Sequence, residues 1–75
     1  MSQTMDCKNL KCPMPIVRIS QGIQRIAAGA LLAVEAADPA FRADLEAWAR
    51  TTGHKIRSFR EEGAVQYAEI EKVGQ

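Results

Sequence analysis

Aromatic side chains are scarce: two Phe, one Trp and one Tyr among 75 residues. A core has to come from Ile, Leu, Val and Ala, and little is left for an aromatic platform that stacks nucleic-acid bases. Histidine occurs once, as His54, and cysteine twice, as Cys7 and Cys12. Two thiols are too few for a disulfide scaffold. With one histidine they also fall short of the three or four ligands of a zinc site, so no metal is expected. Charge of one sign is missing as well. Ten Lys and Arg stand against nine Asp and Glu, a formal net charge of +1, which argues against a general polyanion binder. No long hydrophobic run is present: the longest, residues 26–34, is far short of a membrane span. Asp6, Cys7 and Lys8 interrupt the start, and no apolar leader core follows them. The expectation is a soluble cytoplasmic protein with no membrane partner and no direct nucleic-acid partner.

Hydrophobic residues make up 47% and charged residues 25%, the balance of an ordinary globular protein rather than a disordered one. The length suits a single small domain, residues 1–75. Charge is unevenly spread. Residues 1–34 carry Lys8, Lys11, Arg18 and Arg25 against Asp6 alone, so the basic end is also the end with both cysteines.

Gly29, Asp38-Pro39, Gly53 and Gly63 divide the chain into six segments. Residues 3–7 read as a strand, at an edge or in the centre of a sheet. Residues 13–28 read as a helix, because Ile16, Ile19, Ile23, Ile26 and Ala27 fall on one face, with Gly29 as the stop. Residues 30–37 are short and apolar, which suits a buried strand. Asp38 reads as an N-cap with Pro39 at the first helical position. Phe41, Leu45, Trp48, Ala49 and Thr52 then repeat at helical spacing up to Gly53. Residues 54–60 and 64–71 read as a hairpin around Glu61-Glu62-Gly63. Ile56 and Phe59 have opposite strand parity, as do Tyr67 and Ile70, which points to a bulge or an unevenly covered sheet. The order β-α-β-α-β-β, with right-handed crossovers, predicts an α/β two-layer sandwich: a four-stranded mixed sheet with two helices on one face.

The chemistry concentrates in Asp6-Cys7-Lys8-Asn9-Leu10-Lys11-Cys12-Pro13-Met14-Pro15. Cys12 precedes a helix start, where prolines are tolerated because first-turn N–H groups have no intrahelical partner. Pro15 disfavours helical geometry at Met14, so the regular helix is also compatible with a start at Pro15. A thiol before a helix N-terminus, with Lys8 and Lys11 nearby, sits in positive potential that favours thiolate. An ordinary pKa of about 8.5 leaves roughly 3% thiolate at pH 7, and lowering it by one unit raises that to about a quarter. No His lies near Cys12 in the chain, and although His54 could approach through the fold, a Cys–His dyad cannot be read from spacing. Such a thiol suits accepting and passing on a group better than hydrolysis.

These residues resemble the TusA-like family of sulfur-carrier proteins, whose signature runs from an acidic residue to Gly-Leu-x-Cys-Pro-x-Pro. The resemblance extends over about the whole chain and includes the Asp38-Pro39 and Gly53-His54 junctions. It implies the β-α-β-α-β-β sandwich and a persulfide carried on Cys12, with Leu10, Pro13 and Pro15 as the supporting motif and no separate cofactor. It implies a donor protein, a cysteine desulfurase or rhodanese. It also implies an acceptor protein serving tRNA thiolation, cofactor synthesis or sulfur oxidation. A sulfurtransferase in such a relay is recharged each cycle rather than turning over alone. Asn9 stands where the family usually has Gly, and Asn is the residue after Gly that best tolerates positive φ. Lys8, Lys11, Met14 and Arg18 are candidates for docking a partner, and a monomer is expected. Cys7 is a second thiol. It reads either as a small residue at a strand end or as the resolving half of a Cys7/Cys12 redox switch. A binding or regulatory module that works without Cys12 is the remaining alternative.

Overall fold

The computed structural model describes residues 2–10 and 14–74. Its elements are β1 (Ser2–Cys7), α1 (Met14–Ile23), β2 (Leu31–Ala36), α2 (Phe41–Thr52), β3 (Lys55–Glu62) and β4 (Val65–Glu71), in the expected order. The strands form one mixed sheet, β1-β2-β4-β3, which puts β1 at an edge. β1 runs parallel to β2, while β4 is antiparallel to both β2 and β3. The crossover through α2 therefore skips one strand position, and the final hairpin fills it.

Strand alternation divides the sheet into two faces. Cys7, Leu32, Val34, Ala36, Ala68 and Ile70 point to one side and are all buried. Ile19 and Ile23 of α1 and Phe41 and Leu45 of α2 complete the same cluster, so both helices cover that face. Each fully buried Ile, Leu or Phe contributes about 1.5–3 kcal/mol, and this aliphatic cluster is the main source of stability. α1 lies close on β1: a Cβ added at Gly22 would stand 2.6 Å from Met5 Cε. The helices are tied together by the Trp48 indole N–H, which donates to Ser20 Oγ at 2.9 Å. The opposite face carries Asp6, Glu35, Tyr67 and Glu69 and is uncovered.

Three element boundaries differ from the sequence expectation by two residues or more, each for a local reason. α1 ends at Ile23, not near residue 28. Arg25 N–H bonds the Gly22 carbonyl in a tight turn, and Ile26 is buried from that turn, so the apolar period outlasts the helix. Gly29, at φ 90°, bonds Lys72 rather than a helix carbonyl, and the Lys72 ammonium donates to the Ile26 carbonyl at 2.8 Å. α2 begins at Phe41 with Ala40, not Asp38, at the cap position, and no side chain caps it. Asp38 instead closes a turn ahead of the helix: its Oδ1 accepts from Ala40 N–H and its carbonyl from Phe41 N–H. Thr52 is exposed and bonds the Trp48 carbonyl. Finally, Glu61 and Glu62 belong to β3, paired with Gln66 and Val65, and the turn is Gly63-Ala64. Gly63 takes φ 61°, as a two-residue hairpin demands.

The parity conflicts resolve physically. A register shift between Ile56 and Ser58 returns Phe59 to the same face as Ile56, opposite Ala68 and Ile70. Phe59 then packs on Phe41, ring centroids 6.2 Å apart. Tyr67 faces the uncovered side while Ile70 faces the helices.

Candidate functional site

The residues expected to carry the chemistry lie in the connection from β1 to α1. Lys11, Cys12 and Pro13 are outside the described residues, so the site is built from its two flanks. On one flank β1 ends at Cys7, and Lys8 and Asn9 turn the chain. The Leu10 N–H donates to the Cys7 carbonyl at 3.0 Å, and the Leu10 side chain packs on the core. No described non-glycine residue has positive φ, so Asn9 makes this turn without the left-handed geometry expected of it. On the other flank, Met14 opens α1 with its side chain exposed, and Pro15 is buried against the core. The connection thus leaves the carboxyl end of a parallel strand, where open α/β sheets place their working loops. α1 has no acidic residue in its first turn, so no carboxylate of its own offsets the positive end of its dipole.

Cys7 and the connection share one end of the sheet. Cys7 pairs with Ala36, and Ala36 with Gln66, all on the covered face. Cys7 has no exposed surface, and burial pushes its thiol above the ordinary cysteine range. The positive charge of Arg18 partly offsets this, and Asp6 acts in the same direction as burial. Gln66 was not singled out from sequence, although its alternation with Ala68 and Ile70 marks it for the core. It is 6% exposed; its Nε2 donates to the Asp38 carbonyl at 2.8 Å, and its Oε1 is buried without a partner among the described residues.

The candidate cations separate. Lys8 reaches Glu35 Oε1 at 2.7 Å and Asp6 Oδ2 at 3.3 Å on the uncovered face. Those two carboxylates raise the Lys8 pKa, and the Lys8 backbone N–H and ammonium hold Asp6 below the ordinary carboxylate range. Arg18 is exposed on α1 and has no ion pair among the described residues. His54 belongs elsewhere. It precedes Lys55, whose cross-strand row contains Glu71 and Leu31, the opposite end of the sheet from Cys7. Five residues of strand separate the two rows, about 17 Å. There the His54 ring packs on Trp48 at 5.4 Å, and Nδ1 accepts the Val73 N–H. His54 is therefore no partner for a thiol at the Cys7 end. No group of three or more metal-ligating side chains is present among the described residues. A shallow hollow of about 270 Å³ lies on the uncovered face, lined by Ala33, Ser58, Arg60, Tyr67, Ala68 and Glu69. Its polar groups are already engaged, Ser58 with Glu69 and Arg60 with Glu62.

A family model described as Sulfurtransferase TusA matches residues 3–72. A Bacillus subtilis protein, the putative sulfur carrier protein YrkF, is 39% identical over 71 residues, 95% of this chain. The chain spans only 38% of the length of that relative. A second B. subtilis protein, the putative sulfur carrier protein YrkI, is 36% identical over 93% of each chain. The sulfur carrier protein TusA of Allochromatium vinosum is 34% identical over 93% of this chain and 92% of its own.

Proposed function

The chain belongs to the TusA sulfurtransferase family, and from that membership we propose that it is a sulfur carrier working through a persulfide on Cys12. The observation that supports the assignment to Cys12 is the burial of the alternative. The chain has two cysteines, and Cys7 is sealed in the core with a thiol that resists ionisation. Sulfur exchange needs a thiolate that a second sulfur can approach in line, which a fully buried thiol does not offer.

In the proposed cycle the Cys12 thiolate attacks the outer sulfur of a donor persulfide. A new S–S bond forms to Cys12, the donor's own S–S bond breaks, and the donor leaves as a thiolate. The acceptor's thiolate then attacks the outer sulfur on Cys12, and Cys12 returns to thiolate. No proton has to move in either step, which fits a site with no histidine at its end of the sheet. The donor is a cysteine desulfurase or rhodanese-type protein. The acceptor serves tRNA thiolation, cofactor synthesis or sulfur oxidation, and the relay operates in the cytoplasm. The same burial of Cys7 weighs against a Cys7/Cys12 redox switch, whose resolving thiol would have to reach the surface.

Intact mass after incubation with inorganic polysulfide tests the reading in wild type, Cys12→Ala and Cys7→Ala. The expected result is a gain of one sulfur atom, reversed by reductant and absent only in Cys12→Ala. Loss of two hydrogens in place of the sulfur gain, or loss of loading in Cys7→Ala, would refute it in favour of the redox pair.

A further inference from the structure

Two surfaces flank the β1–α1 connection, and their charges are organised differently. On the uncovered sheet face, cations carry their own counter-ions: Lys8 with Asp6 and Glu35, Arg57 with Glu71, and Arg60 with Glu62. The apolar floor between them is small, and Arg60 lies over the Tyr67 ring at 4.4 Å. Three of the described cations of that face are thus already paired. A partner docking there would have to break existing pairs before making new ones.

The outer side of α1 is the opposite case. Met14, Val17, Arg18 and Gln21 stand at i, i+3, i+4 and i+7, one stripe of the helix, and all are exposed. Arg25 follows at i+11 in the turn after the helix, and is also exposed. The helix contains no acidic residue, and neither arginine has an ion pair among the described residues. Met14 and Val17 are 42% and 40% exposed, two of the large apolar side chains left most open in the described chain. Val17 lies off the buried stripe formed by Pro15, Ile19, Gly22 and Ile23, so core packing does not account for it. The result is an apolar pair at the start of α1, next in sequence to the Cys-Pro motif, bordered by cations without counter-ions among the described residues. An apolar centre with a charged rim is the arrangement of a protein-binding patch. Charge of one sign selects a partner of the other sign.

Resting on the carrier reading, we infer that this stripe, Met14, Val17, Arg18 and Gln21 with Arg25 beyond it, is the docking surface for the proteins that exchange sulfur with the chain. The partner it fits is a protein presenting an apolar contact ringed by carboxylates. Lys8 takes no part in it.

The test compares two routes to the persulfide. Inorganic polysulfide loads the thiol without a protein encounter, whereas a cysteine desulfurase with L-cysteine, or a rhodanese with thiosulfate, loads it only through docking. The variants are Arg18→Glu with Arg25→Glu, Val17→Glu, and Arg60→Glu on the sheet face as the comparison. All sites are exposed, and unchanged thermal midpoints establish that the variants fold. Polysulfide should load all of them to completion, and its rate in each variant is the reference for that variant's protein-mediated rate. Loading from the protein donors should fall about tenfold or more in the α1 variants and less than about twofold in Arg60→Glu. In wild type the protein-mediated rate should fall as salt rises. The inference is overturned if the α1 variants accept sulfur from the proteins at the wild-type rate, or if Arg60→Glu loses as much as they do. Wild type loaded by polysulfide but by neither protein would likewise overturn it and leave the carrier standing. Failure of polysulfide to load wild type would overturn the carrier reading itself.

Discussion

Alkylation of the native protein should separate the two cysteines by rate, and the size of the gap follows from the fold. Cys7 has no exposed surface, so a reagent reaches it only after β1 leaves the sheet. β1 is held by six paired positions on β2, and its Met5 and Cys7 pack on the core under α1. Its release therefore uncovers the core and costs a large part of the global stability. For 75 residues that stability is roughly 4–11 kcal/mol. At the lower bound, with about 1.4 kcal/mol per decade, the open form is near one part in a thousand. Ionisation inside the closed form adds little, because burial raises the thiol above the ordinary range. Cys12 should thus be labelled about a thousandfold faster than Cys7. Timed iodoacetamide labelling, quenched and read by peptide mass, measures both rates in one sample. In denaturant the two should react at similar rates, which calibrates intrinsic reactivity. Native rates within about tenfold of each other would show that Cys7 is not sealed. The elimination that points to Cys12 would then fail with it.

Two further perturbations test the surrounding structure. Gly53 sits at φ 86° with its N–H on the Ala49 carbonyl, and nothing lies within 4 Å of an added Cβ. Gly53→Ala should cost backbone strain alone, about 1 kcal/mol, and lower the thermal midpoint by about 4–8 °C; an unchanged midpoint would contradict the left-handed cap. Asp6 is held below the ordinary carboxylate range by the backbone N–H and ammonium of Lys8. A group whose folded pKa is depressed stabilises above its unfolded pKa and loses that contribution as pH falls through the folded value. Asp6→Asn should therefore be less stable than wild type at neutral pH and equal to it below the carboxylate range, as read from urea midpoints. A difference independent of pH would remove the ion pair from the account.

What was legible in the sequence depended on whether the signal was local. The six elements follow from apolar period and Gly and Pro punctuation, and the β3 bulge announced itself as a parity conflict between Ile56 and Phe59. Boundaries failed where two local structures share one pattern. Ile26 continues the helical period but is buried from a turn, and Asp38 carries cap chemistry while closing a turn ahead of α2. The motif around Cys12 was legible because it is contiguous. The state of its neighbours was not. Lys8 is neutralised by Glu35, 27 residues away, through a strand register no local pattern specifies. Burial of Cys7 depends on which sheet face the helices cover, and parity alone does not reveal that. Val17 carried a weak signal, an aliphatic residue off the buried stripe.

These long-range placements bear directly on the thiol chemistry. In the proposed cycle, where no proton moves, the carrier depends on electrostatics to keep its sulfur anionic, so nearby carboxylates matter as much as cations. Asp6 and Glu35 pair one position before the end of β1 from which the motif departs. Left uncompensated they would oppose a thiolate there, as Asp6 does for Cys7. Lys8 bonds both and offsets part of that field from the sheet side. On the helix side Arg18 adds positive potential that reaches Cys7, and the first turn of α1 contributes no acid to offset it. The two cations thus act in different ways, Lys8 by removing negative field and Arg18 by supplying positive field. Only Arg18 has charge left over for a partner. Arg18 should therefore govern both the ionisation of the carrier thiol and its encounter with other proteins, whereas Lys8 should affect ionisation alone.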